Sequence, residues 1–307
     1  MTAGYRSMRT RTTLISVLVL LGLTLGAAWW LVAPVLAASP TEDTAVEIRK
    51  VAASNWYPTS GEPLFIAVLG SDTRNGPPSG GGGRCDAIHI VAINPQEKAG
   101  TILNIPRDTY VAVPGMGRTK INAACTRGAP TMVQALQNHT GLPIHYYAIT
   151  EFSNFVALIN ETGAINVPVP YAMRDSPSGA HFPQGNALMN GTQALAFSRN
   201  RKDTPRGDFS RTENQGIFMK AMHTKFREET AMDLHRVFDY IKAARRHVQT
   251  DVPVSEIVQL AMLARDIDPA DIANLTIPGS TGMAGRASVV FPAPGDIYTR
   301  VKDDGIY

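Results

Sequence analysis

Three short apolar runs set the class of fold before anything else is read. Residues 64–69 (LFIAVL), 87–93 (AIHIVAI) and 101–105 (TILNI) carry no formal charge and end at polar residues. Runs of roughly four to eight such residues between turn signals are what buried strands require. Each run meets charge at one end: Asp72 and Arg74 after the first, Arg84 and Asp86 before the second, Arg107 and Asp108 after the third. Ligands of open α/β sheets collect just beyond strand ends. Between the first two runs, residues 75–83 are dominated by Gly and Pro and read as a mobile or ligand-shaped loop.

Helical and extended patterns alternate through the rest. Residues 130–139 read as a helix with Pro in its first turn and Gly141 as its stop. A strand over 145–149, a helix over 151–160, a strand over 165–169 and a short helix over 191–196 follow. Residues 171–189 show no period and read as an irregular lid or groove wall. Leu234, Val237, Phe238 and Ile241 mark an amphipathic helix, residues 257–264 another, and 275–277 a last strand, with a Gly- and Pro-rich tail after Pro278. The alternation predicts an α/β fold: a three-layer α/β/α domain around a central mixed sheet.

The N-terminus sets the compartment. Arg6, Arg9 and Arg11 precede an uncharged stretch whose apolar core, residues 14–33, matches the roughly 20 residues a bilayer span needs. Cations ahead of the span place the N-terminus in the cytoplasm, and Trp29 and Trp30 suit the far interface. The alternative is a cleaved signal peptide with small residues near 36–38. Either way the body is expected outside the cytoplasm, where ATP-dependent chemistry is disfavoured. That placement permits a disulfide between Cys85 and Cys125, against two buried free thiols. A net charge of +3 is too small to argue for nucleic acid. Walker A, GxSxG, HExxH and CxxC patterns are absent.

One stretch concentrates cations: RNRKDTPRGDFSRTENQ, residues 199–215. Arg199 and Arg201 are two apart, so an extended segment would turn both to one side. Ser210 and Glu213 have capping-box spacing and predict a helix starting at Arg211. Arg211 and Gln215 would share a face of that helix, continuing through Phe218, Met222 and Phe226. An Arg at a helix start is locally unfavourable unless an anion binds there. With Arg107 and Lys120, these guanidiniums suit a ligand carrying several negative charges, such as a pyrophosphate. The helix face begins polar and becomes apolar, as an anionic head with a greasy tail would need. Asp72 and Asp86 bracket the Gly-rich loop and suit a divalent metal that bridges to phosphate oxygens.

These residues carry a resemblance. GSDTR (70–74), the R-x-D of Arg84 to Asp86, IPRDTYVAVPG (105–115), KINAA (120–124) and the 199–215 stretch resemble, in order and spacing, the LytR-CpsA-Psr family; IPGSTGMAGRASVVFP (277–292) is similar to its closing segment. The resemblance covers residues 64–226 best. It implies a single-pass bacterial membrane protein with its C-terminal domain outside: cytoplasmic residues 1–12, a transmembrane helix 13–36, a linker 37–62, a catalytic domain 63–278 and a tail 279–307 packed on it. It implies a phosphotransferase that moves a glycopolymer from a polyprenyl-pyrophosphate carrier to peptidoglycan, usually the muramic acid 6-hydroxyl, and releases polyprenyl phosphate. Asp72 and Asp86 would hold Mg2+ (or Mn2+). Arg107, Arg199, Arg201 and Arg211 would contact the pyrophosphate beside Gln215, with Arg74 and Lys120 on the basic rim and Asp208 fixing the clamp. Phe218, Met222 and Phe226 would line the lipid groove. Cys85 stands where the family more often has Ser, which favours its pairing with Cys125. The rival readings are a polyprenyl-pyrophosphate hydrolase and a non-catalytic lipid-pyrophosphate binder.

Overall fold

The computed structural model describes residues 61–72 and 83–307. The expected span over 13–36, most of the linker, and Arg74 lie outside the described residues. Among the described residues no helix is long and apolar enough to cross a membrane. In chain order the strands and helices begin β1 (Leu64–Asp72), β2 (Arg84–Asn94), β3 (Ala99–Asn104), β4 (Tyr110–Val113) and β5 (Gly117–Lys120). A 3-10 turn (Ile121–Arg127), α1 (Ala129–Thr140), β6 (Tyr146–Glu151), α2 (Phe152–Thr162) and β7 (Ile165–Val169) follow. Next come β8 (Met173–Asp175), β9 (Ala180–Phe182), β10 (Gly185–Met189), α3 (Gly191–Arg199) and α4 (Asp208–Met232). The chain closes with α5 (His235–His247), β11 (Gln249–Thr250), α6 (Val254–Asp266), β12 (Ile272–Thr276), β13 (Gly279–Ala284), β14 (Ala287–Pro292) and α7 (Ile297–Asp304).

The central sheet has the order β11-β6-β1-β2-β3-β12. It is mixed: β1 runs parallel to β6 and β3 parallel to β12, while β2 is antiparallel to both its neighbours. The C-terminal ends of β1, β3, β6 and β12 therefore share one edge.

The two faces of the sheet are buried unequally. On one side Phe65, Ala67, Leu69, Ile88, Ile90 and Leu103 join Met132, Val133 and Leu136 of α1 in the main core. The segment after Pro278 forms a hairpin and a helix, and Tyr298 and Val301 of α7 enter the same core. On the other side Ile66, Val68 and Gly70 are only half-buried. There α6 packs Leu260 and Leu263 near Leu64, and α4 crosses β2, β3 and β12. Space remains on this side, and the site occupies it.

The expected disulfide is present: Cys85 is joined to Cys125, tying the start of β2 to the 3-10 turn. Residues 171–189 are not irregular. They form the β8–β9 hairpin and β10, which pairs with β7. Buried Met173 and Asp175 alternate with exposed Arg174, a period too brief to register in the sequence.

Candidate active site

Backbone register delivers the first carboxylates. In the β1–β2 pairing Gly70 faces Ala87 and Ser71 faces Cys85, so Asp86 is the extra residue of a β-bulge. A bulge re-aims the side chain it carries. Cys85 keeps its place in the main core, while Asp86 joins Asp72, the last residue of β1, on a cavity of about 360 Å³. Arg107, just past β3, lines the same cavity and donates from Nη1 to Asp86 Oδ1 at 2.6 Å. Burial works against its charge, but that hydrogen bond and the charges of Asp86, Asp208 and Asp108 outweigh it, so the Arg107 pKa rises.

The cationic stretch folds differently from its sequence signals. Helix α4 starts at Asp208, not Arg211, because Gly207 adopts φ +57° and turns the chain in. Ser210 does not cap the helix; its Oγ accepts from Arg206 N at 3.0 Å, outside it. Asp208 therefore sits in the first turn, where a carboxylate suits the helix dipole, and one turn ahead of Arg211. Its Oδ1 lies 2.7 Å from Arg211 Nη2, 3.7 Å from Arg107 Nε and 3.9 Å from Arg201 Nε. One buried carboxylate thus gathers three guanidiniums. Burial, followed by the neighbouring cations, pushes the Arg211 pKa down despite Asp208. Among the described residues Arg107 Nε and Arg211 Nε have no hydrogen-bond partner. These are donors that an anion's oxygens would satisfy.

Arg199 is also not in an extended segment. It is the last residue of α3, lines the cavity, and stands 5.3 Å over the Phe152 ring. Among the described residues it has no ion pair. Arg201 is half-exposed beside Asp208 and does not line the cavity. Its backbone is fixed by Asp175, whose Oδ2 accepts from Arg201 N at 3.0 Å and Lys202 N at 3.3 Å. Lys120 lies on the β4–β5 hairpin, paired with Asp108 at 2.9 Å, and is likewise not a lining residue. Gln215 lines the cavity and donates to Ser198 O at 3.0 Å and Asp86 O at 3.4 Å, tying α4 to the end of α3 and to the bulge.

Beyond Gln215 the walls become apolar. Phe152 and Phe155 of α2 line the first cavity together with Phe218 and Met219 of α4, and the Phe155 and Phe218 rings meet at 5.3 Å. Further along the same helices, Leu158, Met222 and Phe226 line a second, apolar cavity of about 310 Å³ closed by Ile241, Ile257 and Ala261. The sequence placed Phe218, Met222 and Phe226 in one groove; Phe218 borders the first cavity, Met222 and Phe226 the second.

A family model described as the LytR_cpsA_psr family matches residues 35–304. The chain belongs to the LytR-CpsA-Psr family. It is 30% identical over 240 residues to the polyisoprenyl-teichoic acid–peptidoglycan teichoic acid transferase TagV of Bacillus subtilis, a match covering 75% of this chain and 60% of that relative. It is 30% identical over 221 residues to the TagU transferase of Bacillus mycoides, covering 71% of this chain and 68% of the relative. The solved structure of B. subtilis TagV superposes with a TM-score of 0.67 at 29% identity, covering 78% of this chain and 94% of that one.

In this member of the family, several site residues carried no sequence signal. His89 sits inside an apolar run and reads as core, yet it borders the cavity. A chain of side chains sets its tautomer. The Glu213 carbonyl can only accept, so Asn274 Nδ2 donates to it at 3.4 Å. Asn104 Nδ2 then donates to Asn274 Oδ1 at 2.7 Å, which leaves Asn104 Oδ1 to accept from His89 Nδ1 at 2.8 Å. Nε2 is left unprotonated, with no hydrogen-bond partner among the described residues. The relay runs beneath Gly216, where a Cβ would come within 2.0 Å of Asn274 Oδ1. Only glycine lets α4 approach that closely.

Burial lowers the His89 pKa to about 4, although the side chains of Asn104 and Gln215 favour the protonated ring. The unfolded chain, near 6.5, takes up a proton first as pH falls. This stabilisation is complete above about pH 6.5 and is lost as pH falls toward 4. At pH 5 the loss is about 2 kcal/mol. Urea midpoints at pH 7.5 and pH 5 will show a smaller drop in His89→Leu than in the wild type. Equal drops would rule out His89 as a buried neutral group. Burial lowers His139, His145 and His223 as well, so the variant comparison is what isolates His89.

Proposed function

We propose that this chain is a membrane-anchored, extracytoplasmic phosphotransferase that moves a glycopolymer from a polyprenyl-pyrophosphate carrier to peptidoglycan, at a muramic acid hydroxyl. The observation that carries the reading is the polarity of one cavity. Its head holds Arg107, Arg199 and Arg211, with Arg107 Nε and Arg211 Nε lacking a hydrogen-bond partner among the described residues, and its walls turn apolar along α2 and α4. A pyrophosphate with a polyprenyl tail has that chemistry. The transferase names of TagV and TagU, at 30% identity, support it.

Among the described residues four guanidiniums (Arg107, Arg199, Arg201, Arg211) stand against three carboxylates (Asp72, Asp86, Asp208), an excess of one positive charge before any metal is counted. Asp72 and Asp86 fit a divalent cation of the Mg2+ class. They border one cavity, and no group of three metal-ligating side chains exists among the described residues. Mg2+ typically takes one or two carboxylates and completes its shell with phosphate and water. When bound, such an ion supplies positive charge against which the transferring phosphoryl group polarises.

The residues divide the work. Arg211 and Arg107, held by Asp208, bind the bridging and non-bridging oxygens of the pyrophosphate, and Arg199 binds from the opposite helix end. Gln215 keeps α4 against the bulge that presents Asp86. The acceptor hydroxyl oxygen bonds to the phosphorus next to the sugar, and the bond from that phosphorus to the bridging oxygen breaks. Polyprenyl phosphate departs with the charge, and the hydroxyl proton passes to solvent or to the departing phosphate. Cleaving an existing pyrophosphate drives the step without ATP.

Incubating the full chain in detergent micelles with a polyprenyl-pyrophosphate-linked sugar and a peptidoglycan oligomer, with and without Mg2+, tests this by mass spectrometry. A metal-dependent phosphodiester on muramic acid is expected. Sugar phosphate and polyprenyl phosphate alone would make the chain a hydrolase, and lipid that binds without turnover would make it a carrier.

A further inference from the structure

Two hairpins project from the edge of the sheet where the strand ends converge. β4–β5 follows β3 and β13–β14 follows β12, and these two strands run parallel. The hairpins are joined: Val290 N donates to Asp108 O at 2.8 Å, and Thr109 bridges to Val290. Their inner sides are buried through Val111, Val113 and Val290. Their outer side carries the Tyr110 and Phe291 rings, edge to face at 5.9 Å, with the Arg118 guanidinium 5.1 Å from the Tyr110 centroid. Phe291 stays 39% exposed although it is apolar. Arg118 and, at the second hairpin's tip, Arg286 form no ion pair among the described residues, whereas Lys120 is neutralised by Asp108. Asn122 N, just after β5, donates to Arg107 O at 3.2 Å, so the base of the first hairpin adjoins a residue that lines the cavity.

We propose that this aromatic and cationic face seats the acceptor, a glycan strand of amino sugars bearing acidic peptide. The inference rests on the transferase reading. The donor's tail has its track along α2 and α4, away from these hairpins, so the second substrate must arrive from another side. The hairpins border the end where the phosphates sit. A pyranose ring presents a flat C–H face that packs on an aromatic ring, leaving its hydroxyls in water. Arg118 and Arg286 suit the peptide carboxylates, and the one acid in the segment, Asp108, is already paired with Lys120. Tyr110 and Phe291 therefore bind the sugar that must be held within reach of Arg107.

The test titrates the full chain in detergent micelles with a soluble peptidoglycan disaccharide-peptide by calorimetry, with no donor present. Binding is thus read even if the wild type proves unable to transfer. The variants are Tyr110→Ala combined with Phe291→Ala, and, because it is exposed, Arg118→Gln as one that keeps the fold. Each is expected to weaken fragment binding about tenfold. In turnover, KM for the acceptor rises by the same factor while KM for the lipid donor and kcat stay unchanged. Wild-type-like binding in both variants would overturn the proposal, as would a wild type that ignores the fragment. A wild-type dimer that these substitutions dissolve would assign the face to a second copy of the chain instead.

Discussion

Asp208→Ala will lower the stability of the folded domain by about 3–5 kcal/mol, the usual result of leaving a buried charge without its partner. Arg211 is the charge at stake. It is 5% exposed, its nearest carboxylate is Asp208 at 2.7 Å, and burial already disfavours its ionised form. A guanidinium does not escape by losing its proton. Without Asp208, Arg211 and Arg107 would also repel one another across the space it vacates. For a domain of this size the midpoint should fall on the order of 10 °C. Asp208→Asn keeps the shape and loses the charge, so it should fall nearly as far. The proposed ligand adds a diagnostic: inorganic pyrophosphate should raise the melting temperature of Asp208→Ala more than that of the wild type, because an anion replaces the missing carboxylate. A variant as stable as the wild type would mean that Arg211 finds its compensation elsewhere, and that Asp208 does not hold the clamp.

The sequence exposed what depends on neighbours along the chain and hid what depends on neighbours in space. β1, β2 and β3 were legible because helices lie over both faces of the sheet, so the middles of these strands carry no charge. The charged residues that end these runs stood out for the same reason. The bulge at Asp86 was not legible, since it exists only in the register between two strands. The start of α4 misled because two signals compete within four residues. Ser210 and Glu213 have capping spacing, yet Gly207 turns the chain earlier and places Asp208 one turn ahead of Arg211. His89 was invisible because one imidazole in AIHIVAI looks like core, and its relay joins residues as far apart as Asn104 and Asn274, 170 positions in sequence. Lys120 was placed on the basic rim by the family resemblance, and in the structure it pairs with Asp108, a contact between hairpin and strand end that no sequence pattern announces.

Arg199→Ala should cut kcat by about 10²–10³-fold while leaving the fold in place. The contrast with Asp208 follows from partners. Arg199 ends α3 at the cavity with its guanidinium over the face of Phe152, so removal forfeits a cation–π contact of about 0.5–1 kcal/mol and orphans no buried charge. Its charge is uncommitted, which makes it the guanidinium most available to oxygens that gain charge as the pyrophosphate bond breaks. Arg201→Ala should cost less, about tenfold, because that side chain is half-exposed and outside the cavity, acting on the ligand through the summed field. Arg199→Lys should restore only part of the rate: an ammonium supplies charge without the forked pair of donors. Single-turnover rates for the three variants, set beside their melting temperatures, test the assignment. If Arg201→Ala lost more activity than Arg199→Ala at equal stability, the reacting phosphate would lie toward the exposed loop after α3, and the cavity head would have to be redrawn around Arg201 and Asp208.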